Sequence, residues 1–96
     1  MGNVFDKQGN QLKTAAVFHP GIFLLEEIEE RGLKKSDFAN SIKLLPGNLS
    51  EVFNGKRNIT ATIAVRLEKA LDISAEYWIG LQTAFDLAKA REAEYA

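Results

Sequence analysis

The 96-residue sequence contains no cysteine, one histidine and two prolines. Without cysteine the chain has no disulfide framework, no thiolate nucleophile and no cysteine-based zinc site. The lone His19 gives no histidine cluster for a metal. No apolar run approaches the ~18 residues of a membrane span, and the N-terminus lacks the basic start and apolar stretch of a signal peptide. These absences predict a cytoplasmic protein without cofactor or membrane contact.

Catalytic arrangements are also missing from the sequence. It contains no phosphate-cradling glycine loop and no Ser-His-Asp arrangement. The four glutamates within residues 26–30 are candidates for acid/base catalysis or metal binding, but no partner base accompanies them. They are better interpreted as the solvated face of a helix, and we expect no enzymatic activity.

The charges of this nearly neutral chain are unevenly distributed. The formal net charge is −1. Residues 32–59 carry five cations against two anions, whereas residues 1–31 and residues 60–96 each sum to −2. A basic middle between acidic flanks fits a modest anion-binding surface, although ordinary scatter of surface charge gives the same counts.

Apolar spacing and start and stop signals predict an all-α fold with five helices. They lie near residues 20–31, 35–42, 46–53, 61–72 and 75–92. The residues expected on the buried faces are Ile22, Leu25, Ile28, Phe38, Ala39, Ile42, Leu49, Val52, Phe53, Ile63, Leu67, Ala70, Leu71, Trp78, Leu81, Phe85 and Ala88. The polar residues 1–18 form an N-terminal arm, either a small hairpin or disordered, ahead of one domain at residues 19–96.

The Asn54-Gly55 pair has two possible meanings. Asn-Gly is a strong hairpin signal, and it is also a common helix end. The apolar spacing within residues 49–53 is helical, which favours the second meaning. Lys56 and Arg57 are therefore expected on a loop directly after the third helix.

Two short helices joined by a tight turn, the second followed by a cationic loop, are the layout of a helix-turn-helix. The second helix is narrow enough to enter a DNA major groove, with its N-terminal residues toward the base edges. Backbone amides and cations around it bind phosphates. The expected DNA-contacting residues are Lys34, Lys35, Lys43, Pro46, Gly47, Asn48, Ser50, Glu51, Asn54, Lys56 and Arg57. Among these, Lys56 and Arg57 are the leading phosphate contacts, and Asn48 and Glu51 the leading base readers.

Four stretches together carry a family resemblance: "HPGIFLLEEIEERGL", "NGKRNIT", "VRLEKAL" and "SAEYWIGLQTAFDL". Over roughly residues 19 to 90 the sequence resembles the HigA-type antitoxins of the Xre/Cro-like helix-turn-helix superfamily. The resemblance implies a five-helix fold, repression of the protein's own operon at double-stranded operator DNA, and neutralisation of a HigB toxin, a RelE-like mRNA endonuclease. The alternative is a stand-alone Xre-family regulator without a toxin partner.

The size of an operator predicts the oligomeric state of the protein. One helix-turn-helix covers a half-site, so tight binding needs a two-fold dimer with half-sites about 34–36 Å apart. The last helix keeps Phe85, Leu87 and Ala88 near a chain end with little core to cover them, and we expect the homodimer contact there.

The sequence departs from the family pattern at four positions. Lys34 and Leu45 stand where Ser or Thr usually caps the second and third helices, and Lys43 stands where the turn usually has Gly. Losing a good cap costs ~0.5–2 kcal/mol. Gly47, near the start of the third helix, offers no side chain to a base. We therefore expect weak helix starts and a small preference for specific over random DNA.

Overall fold

Five helices make up the part of the chain that the computed structural model describes, residues 17–95. They are α1 (Pro20–Glu30), α2 (Lys35–Ser41), α3 (Pro46–Phe53), α4 (Ala61–Leu71) and α5 (Ala75–Tyr95). No strand occurs within that range, and the predicted all-α fold is confirmed. The predicted ends agree to within one residue except at α5, which continues to Tyr95. Residues 1–16 of the expected arm, which was placed at residues 1–18, lie outside the described residues.

Three helices begin at residues whose side chains bind the first turn. Nδ1 of His19 accepts the N–H of Gly21 at 2.9 Å, before α1. The hydroxyl of Thr60 accepts an N–H from the first turn of α4, and that of Ser74 does the same for α5. Each supplies an acceptor to an N–H that has no partner inside its helix.

The starts of α2 and α3 are weaker, as expected. Lys34 and Leu45 occupy their N-cap positions in extended conformations, and neither side chain makes a capping hydrogen bond. Leu45 is also 70% exposed. The two helices of the helix-turn-helix therefore depend on packing rather than on caps.

Helix ends and the central turn use left-handed backbone. Gly32 and Gly55 have φ of 66° and 76°, each following the C-cap residue of its helix, α1 and α3. The second confirms the helix end predicted at Asn54-Gly55. Lys43, in the turn between α2 and α3, has φ of 59° and carries a Cβ. Glycine adopts this conformation at much lower cost.

The core lies where all five helices meet. Its buried side chains are Leu24, Ile28, Phe38, Ala39, Ile42, Leu49, Val52, Ile59, Ile63, Ala64, Leu67, Leu71, Trp78 and Leu81. Trp78 is 1% exposed, as predicted for a core residue. Most of the expected apolar positions are therefore confirmed as core.

Two predicted core positions were wrong. Ile22 is 40% exposed, because α1 turns Leu24 and Ile28 toward α3 and α5 instead. Ala70 is exposed, because the inner face of α4 runs through Leu67 and Leu71.

Four further predicted positions are only partly buried. Leu25 lies beside the inner face of α1, Phe53 is the last residue of α3, and Phe85 and Ala88 lie toward the C-terminal end of α5. The ring of Phe85 packs edge-on against His19, with centroids 5.1 Å apart. Phe85 is therefore covered by its own chain more than the sequence suggested.

Candidate nucleic-acid interface

The third helix presents one face to solvent and packs the other against α1 and α2. Leu49 and Val52 are buried, whereas Gly47, Ser50 and Glu51 are exposed. Asn48 is half-buried on the same outer side, and Pro46 at the start of α3 is exposed. These outward-facing residues of α3 are the ones expected from sequence. They form a narrow polar surface, which we call the ridge, beside the buried apolar residues of the same helix.

Close packing of α1 holds this ridge in place. A Cβ on Gly21 would overlap the backbone carbonyl of Val52. No side chain at position 21 could coexist with the present separation of the two backbones. The backbone of α1 therefore sets the depth at which α3 sits, and with it how far the ridge projects.

Three cations lie on α2 and just beyond its two ends, and one of them contacts α3. Lys34 and Lys43 are exposed at the start and end of α2. Nζ of Lys35 lies 5.9 Å from the centre of the Phe53 ring, at the end of α3. This cation–π contact brings a charge of α2 beside the last turn of α3.

The loop after α3 folds back onto the helix it leaves. Asn54 is the C-cap, and it is exposed together with Lys56. The backbone N–H groups of Lys56 and Arg57 both donate to the carbonyl oxygen of Glu51, at 2.8 and 3.2 Å. These bonds hold both cationic residues next to the ridge.

The side chain of Arg57 lies across the two expected base readers. Its Nε donates to Oε1 of Glu51 at 3.1 Å, and its Nη2 donates to Oδ1 of Asn48 at 3.0 Å. Nη2 also lies 2.9 Å from Oε1 of Glu51. Sequence reasoning treated these three residues as independent and missed the cluster, because the path of the loop brings them together.

Two residues outside the expected set position the loop. Nε2 of His19 lies 3.4 Å from Oδ1 of Asn58. The buried Gln82 accepts the N–H of Ile59 at its Oε1, at 2.7 Å. The start of α1 and the middle of α5 thus fix the chain between α3 and α4. A buried glutamine on an apolar helix face was the one signal that could have indicated this role.

Other kinds of site find no support in the described part of the chain. Residues 17–95 contain no group of three or more His, Asp or Glu side chains that could hold a metal ion. In the same range no helix has both the length and the apolar character needed to cross a membrane. The ridge, its bordering cations and the Arg57 cluster are therefore the candidate site.

Comparison with known families assigns the class. A family model described as "Helix-turn-helix" matches residues 24–78, which run from α1 into the start of α5. The chain belongs to this helix-turn-helix family, in its Xre-like branch. The predicted fold class and the predicted resemblance are both confirmed.

Two solved structures of antitoxins are similar to this chain. The chain is 31% identical to an addiction module antidote protein of the HigA family from Coxiella burnetii, with a TM-score of 0.74 over 80% of this chain and 85% of that one. It is 30% identical to the antitoxin HigA of Pseudomonas aeruginosa, solved with the higBA promoter, with a TM-score of 0.76 over 81% and 86% of the two chains.

A curated sequence relative is longer than this chain. Virulence-associated protein A' of Dichelobacter nodosus is 35% identical over 75 residues, which are 77% of this chain and 65% of that protein. The chain thus spans just under two thirds of that relative.

Proposed function

We propose that this protein is a DNA-binding antitoxin. It represses its own operon through α3 and neutralises a HigB-like toxin, a RelE-like mRNA endonuclease. The observation that carries the DNA-binding half is the exposed ridge of α3, bordered by the five cations Lys34, Lys35, Lys43, Lys56 and Arg57. The antitoxin half rests on similarity to HigA-family antitoxins.

In this proposal, lysine side chains contact the phosphates and polar side chains of α3 face the bases. Lys56 on the loop and Lys34, Lys35 and Lys43 around α2 supply phosphate contacts, which set affinity and register without reading sequence. Asn48 and Ser50 face the base edges, and Glu51 lies beside them. Ser is an adaptable contact, and Asn48 keeps its two side-chain N–H donors for a base acceptor because its Oδ1 already accepts from Arg57.

Operator binding further requires a two-fold dimer, and we propose a contact surface for it. An apolar groove of about 770 Å³ runs between α4 and α5, and we call it the α4–α5 groove. Its lining includes the partly exposed Val65 and Tyr77, and a Cβ on Gly80 would meet only open space. Such a surface allows close approach of a helix from a second copy.

The position of the α4–α5 groove suits a repressor. Its lining residues are Ala61, Val65, Ala75, Glu76, Tyr77, Ile79, Gly80, Leu81, Thr83 and Ala84, all from α4 and α5. A dimer formed there leaves both α3 ridges free for the two half-sites. The contact expected at Phe85, Leu87 and Ala88 is less favourable, because His19 already covers one edge of Phe85.

The toxin half of the proposal has a direct test. A basic RelE-like reading frame beside this gene would encode the toxin, and it is expressed alone and together with the chain; a lone gene would favour the stand-alone regulator. We expect growth arrest by the neighbour alone, relief on co-expression, and co-purification of the two proteins. A neighbour that arrests growth regardless, or that never co-purifies, would instead favour the stand-alone Xre-family regulator.

A further inference from the structure

We propose that Arg57 reads a guanine in the major groove, and that Glu51 and Asn48 act as positioning residues that hold it there. This inference rests on the proposed DNA binding. It reassigns Arg57 from the phosphate backbone, where its place in a basic loop had put it, to the bases. It also reassigns Glu51 from a residue that contacts a base to a residue that positions Arg57.

Arg57 is held both at its backbone and at its guanidinium. Its backbone N–H donates to the carbonyl oxygen of Glu51, and its guanidinium is bound by the carboxylate of the same residue. An exposed ion pair on its own holds a long side chain only weakly. Here the backbone hydrogen bond and the hydrogen bond to Asn48 at 3.0 Å restrict the conformations of the side chain. An arginine that bound only a phosphate would keep more of that conformational freedom.

The guanidinium of Arg57 is held on the outer face of α3. Asn48 and Glu51 are three residues apart on α3, and side chains at that spacing lie on one helix face. That face is the exposed ridge, which would lie toward the base edges in a helix-turn-helix complex. A guanidinium that bridges these two residues is therefore on the face that enters the groove.

One nitrogen of the guanidinium keeps its donors. Nε and Nη2 are engaged by Glu51 and Asn48, whereas Nη1, with its two N–H groups, makes none of these contacts. Arginine is a donor without acceptors. Guanine is the base whose major-groove edge presents two acceptors, O6 and N7, so the N–H groups of Nη1 meet an acceptor at either position.

The carboxylate of Glu51 fits support better than direct reading. An unpaired carboxylate in the major groove would be repelled by the negative potential of the phosphates. Its one good hydrogen-bond partner among the bases is the amino group of cytosine. Paired with Arg57 at 2.9 Å, its charge is neutralised and the ridge keeps a positive tip. Lys56, one residue earlier, has its side chain exposed and is the matched cation for backbone binding.

The test compares four variants on defined duplexes. The probes are the chain's own upstream region, the same duplex with each base pair substituted in turn, and a random duplex of equal length, all at one salt concentration. The variants are Arg57→Lys, Arg57→Ala, Glu51→Gln and the control Lys56→Ala. Circular dichroism confirms that each is folded.

We expect Arg57→Lys and Arg57→Ala to lose about ten- to a hundredfold of the preference at one G·C pair per half-site. Arg57→Lys should keep its affinity for random DNA, because the charge remains. Glu51→Gln should weaken the preference at the same base pair and at no other. Lys56→Ala should weaken binding to all probes about equally.

Two results would overturn the inference. Equal weakening of all probes by Arg57→Ala, with unchanged preferences in Arg57→Lys, would make Arg57 a phosphate contact. A change in Glu51→Gln at a different base pair would make Glu51 a reader in its own right. Either leaves the proposed DNA binding intact, whereas a wild-type protein without preference for its upstream region would refute the proposed operator binding itself.

Discussion

The Cα of Gly21 in α1 lies so close to the carbonyl of Val52 in α3 that a Cβ on Gly21 would overlap the carbonyl oxygen. This contact couples the first helix to the helix that carries the proposed DNA-binding ridge. The obstacle is backbone, so no rotamer change of a neighbouring side chain relieves it.

Gly47 provides a matched comparison. Both glycines are the second residue of a helix and follow a proline, yet a Cβ on Gly47 would meet open space. We expect Gly21→Ala to lower the free energy of unfolding by at least ~1–3 kcal/mol through overpacking. Gly47→Ala should raise it by up to ~1 kcal/mol. Urea denaturation measures both, and similar effects at the two sites would contradict the packing described.

The uncapped start of α3 gives a second prediction. Replacing Leu45 with serine supplies the missing acceptor and removes a side chain that is 70% exposed. We expect Leu45→Ser to raise the free energy of unfolding by ~0.5–2 kcal/mol. Leu45→Ala, which removes the same apolar surface without adding a cap, is the control. The cap has no role if both variants denature at the same urea concentration.

The left-handed turn residue gives a third prediction. Lys43 adopts φ of 59°, a conformation that costs roughly 1–2 kcal/mol for a residue with a Cβ. Lys43→Gly should recover part of this energy, whereas Lys43→Ala should not. If Lys43 also contacts a phosphate, both variants should lower the slope of log affinity against log salt by about 1. Thermal denaturation and salt titration separate the two effects, and a gain in stability for the alanine variant would contradict the backbone explanation.

The dimer surface gives a fourth prediction. Val65 in the α4–α5 groove is 45% exposed, and Leu87, where the sequence had placed the contact, is 39% exposed. We expect Val65→Glu to produce monomers by analytical ultracentrifugation and Leu87→Glu to leave the dimer intact, because only the first puts a charge into the groove. The opposite pattern would return the interface to the end of α5.

Local signals account for what the sequence predicted well. A capping side chain and the N–H that it binds are at most three residues apart, so His19, Thr60 and Ser74 could be recognised without knowing the fold. The stops at Gly32 and Gly55 are equally local, since each depends on the conformation of one residue.

Features set by packing could not be predicted in this way. Residues 22–25 are all apolar, so the helical period fits more than one face of α1, and contact with α3 and α5 selects Leu24 over Ile22. Gln82 binds Ile59 across 23 positions of sequence. The Arg57 cluster depends on a loop that turns back on α3, a path that no periodic pattern encodes.

Equilibrium competition at fixed salt between the chain's own upstream region and a random duplex of equal length tests the central claim most directly. Gly47 leaves one position of the ridge without a side chain, so we expect a preference above about tenfold but below the roughly thousandfold at which ordinary specific binders begin. Asn48→Ala should reduce it at one base pair per half-site and leave the affinity for random DNA nearly unchanged. Equal affinity of the wild-type protein for the two duplexes would contradict the claim that α3 reads an operator.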